Sequence, residues 1–340
     1  MSGASSIVVA ADVGGTHSKL ALGFSEAGSG IVVRKVYASD EHAAFETVLQ
    51  RFLDEPEVKV HAADVRAACI AVAGPVEHGR SRLTNLPWCV DEGDLARDFS
   101  IPRVSVINDF AAAGLGIAEL QAADLLTLQA GVVVPHAARV IIGAGTGLGV
   151  AWLTWNEGCY RVHPSEGGHA DFAPIDDTQD RLLQHLRREL GHVSVERVLS
   201  GNGLTRIFAF LRQEPGAAAP TQDLLDAMAS GDDAGAISKL ALEKRDALAE
   251  RALDVFASIY GAFAGNMALT ALAHGGVYIA GGIAPKIAAK MQDGAFMRAF
   301  TAKGRLRSVL ETLAVHVVMN PHVGLLGAAA EAARLARDPP

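Results

Sequence analysis

Ile7-Val8-Val9-Ala10-Ala11-Asp12-Val13-Gly14-Gly15-Thr16, followed by Ser18-Lys19-Leu20-Ala21-Leu22, is the stretch that decides the fold. A β-branched apolar run stops at Asp12, a glycine turn intervenes, and a second apolar run resumes, which predicts a two-stranded hairpin with a functional tip. The pattern returns roughly one domain length later. Val140-Ile141-Ile142 runs into Gly143-Ala144-Gly145-Thr146-Gly147-Leu148-Gly149 and then Val150-Ala151-Trp152-Leu153. Strand, Gly-Thr turn and strand occurring twice predict two similar halves. Further strands are expected at 31–37, 67–72 and 103–107, with helices at 41–53 and 91–99, an alternation that belongs to the α/β class. The second half is more helical. From 234 to 273, Phe256, Ile259, Phe263 and Met267 recur at i+3/i+4 spacing and are expected in the core. A strand at 277–280 reaches Gly281-Gly282 and a helix follows; another at 313–319 leads through Asn320-Pro321 to Gly324-Leu325-Leu326-Gly327 and an alanine-rich last helix. Residues 216–220 read as a surface loop.

The 340 residues suit about two domains at ~150 residues each. Half are hydrophobic and a fifth are charged, enough for a large core. Thirty Lys and Arg against 38 Asp and Glu give a net charge of −8 with no basic cluster, so no nucleic-acid partner is expected. Cys69, Cys89 and Cys159 form no CxxC and suggest neither a zinc knuckle nor a disulfide framework, which fits a reducing cytosol. No basic residue precedes Ile7, and no uninterrupted apolar run approaches the ~18 residues of a membrane span. A soluble cytoplasmic protein that meets no membrane is expected.

Three glycine turns end strands: Asp12-Val13-Gly14-Gly15-Thr16, Gly145-Thr146-Gly147 and Gly281-Gly282. Such pairs often do no more than supply positive φ in a hairpin. Bare backbone N–H groups beside a Thr hydroxyl also suit a phosphate chain, and Asp12 is in place there only if Mg²⁺ lies between carboxylate and phosphate. Neither a Walker A motif nor a GxGxxG fingerprint is present. Asn108-Asp109-Phe110 follows a strand where Asp commonly serves as a helix N-cap, and where α/β folds also place catalytic carboxylates. Glu166 and His169 in Ser165-Glu166-Gly167-Gly168-His169, together with Glu196, offer the mixed donors and acceptors that a polyhydroxylated ligand needs. As a metal site Glu166 and His169 lack a third ligand. Thr84-Asn85-Leu86-Pro87-Trp88 reads either as a plain turn over a buried Trp or as a means of bringing Asn85 to the site.

Taken in order, these motifs resemble the bacterial ATP-dependent glucokinases of the hexokinase, actin and Hsp70-like ATPase superfamily. The likeness runs through Asp12–Thr16, Ile107–Phe110, Gly143–Gly149, Glu166–His169, Glu196–Gly201, Ile279–Ile283 and Asn320–Gly327. It implies two RNase H-like α/β domains enclosing a cleft, with expected bounds 1–117 plus 320–340 and 118–319. It further implies phosphorylation of glucose at the C6 hydroxyl, with ATP and Mg²⁺ as cofactors and a homodimer. Asp109 would be the base; Asn85, Asn108, Glu166, His169 and Glu196 would serve the sugar. Asp12, Gly14, Gly15, Thr16, Gly145, Thr146 and Gly147 would line the phosphates, and Gly281 and Gly282 would lie near the adenosine.

Two positions depart from the family's pattern. His17-Ser18-Lys19 stands where Asn, a small residue and Arg are usual, and Ser165 replaces a Gly. Lys19 keeps the charge without the planar fork and is expected to be a solvated cation that tolerates truncation. The competing readings are a kinase for another hexose and a sugar-binding regulator without turnover on the same fold. A DNA-binding regulator is disfavoured, because only six residues precede the first strand.

Overall fold

The computed structural model describes residues 6–25, 30–83 and 85–337. Its Cα framework separates into two compact units, Met1–Ala123 with Asn320–Pro340, and Asp124–Met319.

In unit 1, β1 (Ile7–Val13), β2 (His17–Phe24), β3 (Gly30–Ala38), β4 (Val65–Val72) and β7 (Arg103–Asn108) form one sheet, with the hairpin β5 (Arg80–Arg82) and β6 (Cys89–Asp91) apart from it. The order is β3-β2-β1-β4-β7. β1 and β2 pair antiparallel from Ile7↔Phe24 to Val13↔Ser18, whereas β4 and β7 run parallel to β1. β1 is apolar without alternation because both its faces are covered. Val9, Ala11 and Val13 pack with Phe45, Leu49 and Phe52, while Val8 and Ala10 pack with Ala112, Ala328 and Ala332.

The helix expected from residue 41 begins at Phe45. Upstream, Ser39 is committed to the first glycine turn, its N–H on the Thr16 carbonyl and its hydroxyl on that of Gly14, so the chain there makes only a short 3₁₀ turn. The helix Asp109–Gly116 leaves β7 and lies on the last helix, Val323–Arg337. That crossing is very close: a Cβ on Gly116 would strike the Val323 carbonyl, and one on Gly327 the Ala112 carbonyl. The turn Ile117–Glu119 rests on the same helix, which is why unit 1 extends past the expected residue 117 to Ala123.

Unit 2 repeats the scheme with β9 (Arg139–Ala144), β10 (Leu148–Asn156), β11 (Cys159–Ser165), β12 (Val277–Ala280) and β13 (Val315–Val318), to which β8 (Leu125–Gln129) adds an unanticipated edge. The order is β11-β10-β9-β12-β13-β8: the first three pair antiparallel, β12 and β13 run parallel to β9, and β8 is antiparallel to β13. The expected helical stretch 234–273 is two helices, Asp233–Leu242 and Ala247–Ala271. Lys244 takes φ +54° between them, and Asp246 caps the second by accepting the Ala249 N–H. Ala247–Ala271 is long and apolar enough on average to cross a membrane, but it is no uninterrupted apolar run, since Glu250, Arg251 and Asp254 lie within it. Here Phe256, Ile259, Tyr260 and Phe263 are buried in the core of unit 2, with Met267 at its margin. After Gly282 the chain makes turns, and a helix begins only at Ala288.

The glycine crossing makes a measurable claim. Gly327→Ala is expected to lower stability by about 1–3 kcal/mol through overpacking, read as a lower urea midpoint at unchanged slope. Gly145→Ala, with nothing within 4 Å of the new Cβ, is expected to leave the midpoint in place.

Candidate active site

Asp109 stands at the junction of β7 and its helix, the carboxyl end of a parallel strand. The expected N-cap role does not fall to it. Asn108 is the cap: its Oδ1 accepts the N–H groups of Phe110 (2.9 Å) and Ala111 (3.2 Å), while its Nδ2 donates to the Gly74 carbonyl at 3.1 Å. Asn108 is therefore occupied by its own fold, since its side chain also hydrogen-bonds the Asp109 carboxyl. Asp109 is half-buried, and its Oδ1 accepts the Phe110 N–H at 2.8 Å. Burial pushes its carboxyl up to about 6, against the pull of that hydrogen bond and with the like charge of Asp12 adding to the rise.

Asp12 ends β1 directly across from Lys19 on β2. Lys19 Nζ lies 3.2 Å from Asp12 Oδ2 and 3.3 Å from the Pro321 carbonyl, and both side chains are mostly buried. This corrects the expectation of a solvated Lys19. His322, which the sequence did not single out, feels Asp12, Lys19 and Arg34; burial first, and then the two cations, hold its imidazole below the usual range.

Gly14 and Gly15 close the β1–β2 hairpin without positive φ, so supplying positive φ is not their role. They are small because neighbours are close. A Cβ on Gly14 would sit 3.1 Å from the His17 carbonyl, and one on Gly15 would sit 3.0 Å from the Cβ of Asn85. Thr16 and His17 are exposed beside them. Asn85 is exposed, next to the Gly15 turn, while Trp88 is buried and donates Nε1–H to the His42 carbonyl at 3.2 Å. Thr84 lies outside the described residues.

In unit 2, Glu166 Oε2 and His169 Nε2 come to 3.7 Å on a short 3₁₀ turn, and both side chains are exposed, at 87% and 59%. Ser165 stabilises this turn, accepting the Gly167 N–H at 3.1 Å and donating to the Val150 carbonyl at 3.2 Å. Glu196 is half-buried, and its Oε2 accepts the Leu148 N–H at 2.9 Å. A Cβ on Gly147 would meet that oxygen at 2.7 Å, so Gly147 makes room for a carboxylate. Gly281 adopts φ +82° against the Ala144 carbonyl. Gly145, Thr146 and Gly282 line a pocket of about 820 Å³. Its other wall includes Asn202, Ser238 and Lys239, which sequence reasoning missed. Their one signal was the small-residue run Ser200-Gly201-Asn202-Gly203 following the Glu196 motif.

The glucokinase family model matches residues 9–335. The chain belongs to the glucokinase family. It is 42% identical to the glucokinase of Nostoc punctiforme over 97% of this chain and 99% of that one. The crystal structure of glucokinase from an Antarctic psychrotroph superposes with a TM-score of 0.84 at 30% identity, covering 96% and 99% of the two chains. A ROK family glucokinase from Streptomyces griseus, crystallised with glucose and AMPPNP, shares the fold at a TM-score of 0.63 and 21% identity, over 97% and 100%. The protein is thus an enzyme of the glucokinase class on the two-domain α/β fold of these kinases.

A carboxyl raised from 3.8 to about 6 in the folded state favours the protonated form. Its contribution to stability is fully present below the unfolded value and is lost as pH rises through about 6. Asp109→Asn, uncharged throughout, should therefore have a higher Tm than the unmodified protein at pH 8 and the same Tm below pH 3.8, measured by calorimetry across that range.

Proposed function

We propose that this glucokinase transfers the γ-phosphoryl group of ATP to the C6 hydroxyl of glucose with Asp109 as the general base. The observation that carries this reading is the state of Asp109: a half-buried carboxylate, raised to about 6, at a helix start whose capping is done by Asn108. A base of that strength is ionised at neutral pH and still able to accept a hydroxyl proton. Its hydrogen bond from Phe110 N–H engages Oδ1. The carboxylate of Asp109 takes the proton from the C6 hydroxyl.

Glu166 and His169 serve the sugar hydroxyls as an acceptor and a donor on one turn, Asn85 adds a further donor, and Asn108 serves the sugar from beside Asp109. The 820 Å³ pocket beside Gly145, Thr146 and Gly282 suits the nucleoside end of ATP, and the AMPPNP bound by the Streptomyces relative supports ATP as donor. Among the described residues no group of three or more His, Cys, Asp and Glu gathers as a metal cage. Mg²⁺ is usually held by one or two carboxylates together with substrate phosphates, and the Asp12 carboxylate stands beside the first glycine turn. Asp12 would hold it, and the ion supplies charge neutralisation on the transferring phosphoryl group. A cytoplasmic location without a nucleic-acid partner or membrane belongs to the same reading, supported by the free cysteines and the net charge of −8, and a homodimer belongs to it through the family likeness alone.

A coupled assay with ATP·Mg²⁺ and a panel of hexoses is expected to release ADP with glucose. ADP only with another hexose would change the substrate, and sugar binding without ADP would select the regulator. Asp109→Asn is expected to keep glucose binding and to lower kcat at least ~10²-fold, the range for a lost general base. Retention of more than about a tenth of kcat would move the role to another carboxylate, Glu166 first.

A further inference from the structure

The segment Glu196-Arg197-Val198-Leu199-Ser200-Gly201 is tied at one end to the turn that carries Glu166 and His169, and at the other to the Gly145–Leu148 turn. At its start the Val195 N–H donates to the Ala170 carbonyl at 2.9 Å. At its end the Gly201 N–H donates to the Gly145 carbonyl at 2.9 Å, where the helix Gly201–Gln213 enters the pocket wall. Ser200 Oγ donates to the Glu196 carbonyl at 2.8 Å and accepts the Gly203 N–H at 3.1 Å, which makes the segment a compact brace. The Glu196 side chain then crosses back onto the second glycine turn, with Oε2 on the Leu148 N–H and packed where only Gly147 leaves space. Oε1 has no hydrogen-bond partner among the described residues.

We infer that Glu196 is a positioning residue whose two oxygens link the sugar and nucleotide halves of unit 2, so that glucose and nucleotide each strengthen the binding of the other. The inference rests on the proposed function and deepens it. A sugar hydroxyl donating to Oε1 holds the carboxylate in the orientation that the Leu148 N–H requires. That bond consumes the Leu148 N–H and, with the Gly145 N–H on the Gly147 carbonyl at 2.8 Å, fixes the turn, so phosphate meets the N–H groups of Thr146 and Gly147 already in position. Linkage makes the effect reciprocal, and couplings of this kind typically amount to about 5- to 150-fold in affinity.

The test is calorimetric titration of the full chain with AMPPNP, with and without saturating glucose. The unmodified protein is expected to bind AMPPNP at least ~5-fold more tightly with glucose present. Glu196→Ala should reduce that factor to about one even at saturating glucose. His169→Ala, which weakens glucose without touching the glycine turn, should keep the factor once glucose saturates. Glu196→Gln retains an oxygen for the Leu148 N–H and should keep part of the factor. Should Glu196→Ala fail to fold, Glu196→Asp, too short to hold both partners, carries the same expectation as Ala. An undiminished factor in Glu196→Ala or Glu196→Asp, loss in Glu196→Gln as complete as in Ala, or equal loss in His169→Ala overturns the inference. If the unmodified protein binds both ligands with a factor of one, the inference fails and the proposed function stands. If it binds no glucose at all, the proposed function itself fails.

Discussion

The Asn108 amide holds three pieces of unit 1 together: it caps the helix Asp109–Gly116 through two N–H groups and fastens the end of β7 to the Gly74 carbonyl. Because that amide does the capping, the next carboxylate is not consumed by it. At Asp109 burial outweighs the hydrogen bonds from the Phe110 N–H, its own N–H and the Asn108 side chain, and its proton affinity rises accordingly. The glycine crossing of that helix with Val323–Arg337 fixes where the first turn stands. The chain's last segment thereby bears on the proposed chemistry although it contributes no reacting group.

The two glycine-turn hairpins share a topology and use it differently. In unit 1 the absent Cβ at Gly15 admits Asn85 from the loop that closes over Trp88. In unit 2 the absent Cβ at Gly147 admits the Glu196 carboxylate. In both, glycine is required for close approach and not for positive φ, and what approaches is a polar side chain from elsewhere in the same unit. The third turn differs, since Gly281 does need the left-handed region, with its backbone pressed on Ala144.

The repeated strand–turn–strand pattern was legible because β1 and β9 are covered on both faces and so read as unbroken apolar runs beside glycine. The central strands of both sheets follow from it, but not β11. β8 was not legible, being a half-buried edge strand with little contrast to its flanks. The break between Asp233–Leu242 and Ala247–Ala271 was hidden because Lys244 and Asp246 look like surface residues of one long helix. Candidate site residues were readable wherever they sit on a motif, as at Asp109, Glu166 and His169. Partnerships were not: the Lys19–Asp12 pair follows from register across a hairpin, and the Glu196–Leu148 bond from a fold-back of almost fifty residues, and neither has a local signature.

The central claim is that Asp109 is a carboxylate whose proton affinity the fold has raised for use as a base. The most direct test is a carbon-13 NMR titration of the aspartate carboxyls, with the Asp109 resonance assigned by its absence in Asp109→Asn and compared with the acid limb of kcat/KM. A midpoint near 6 that coincides with the kinetic limb is the predicted result. An Asp109 midpoint at the ordinary value of 3.8, or a kinetic limb that does not track it, would contradict the account.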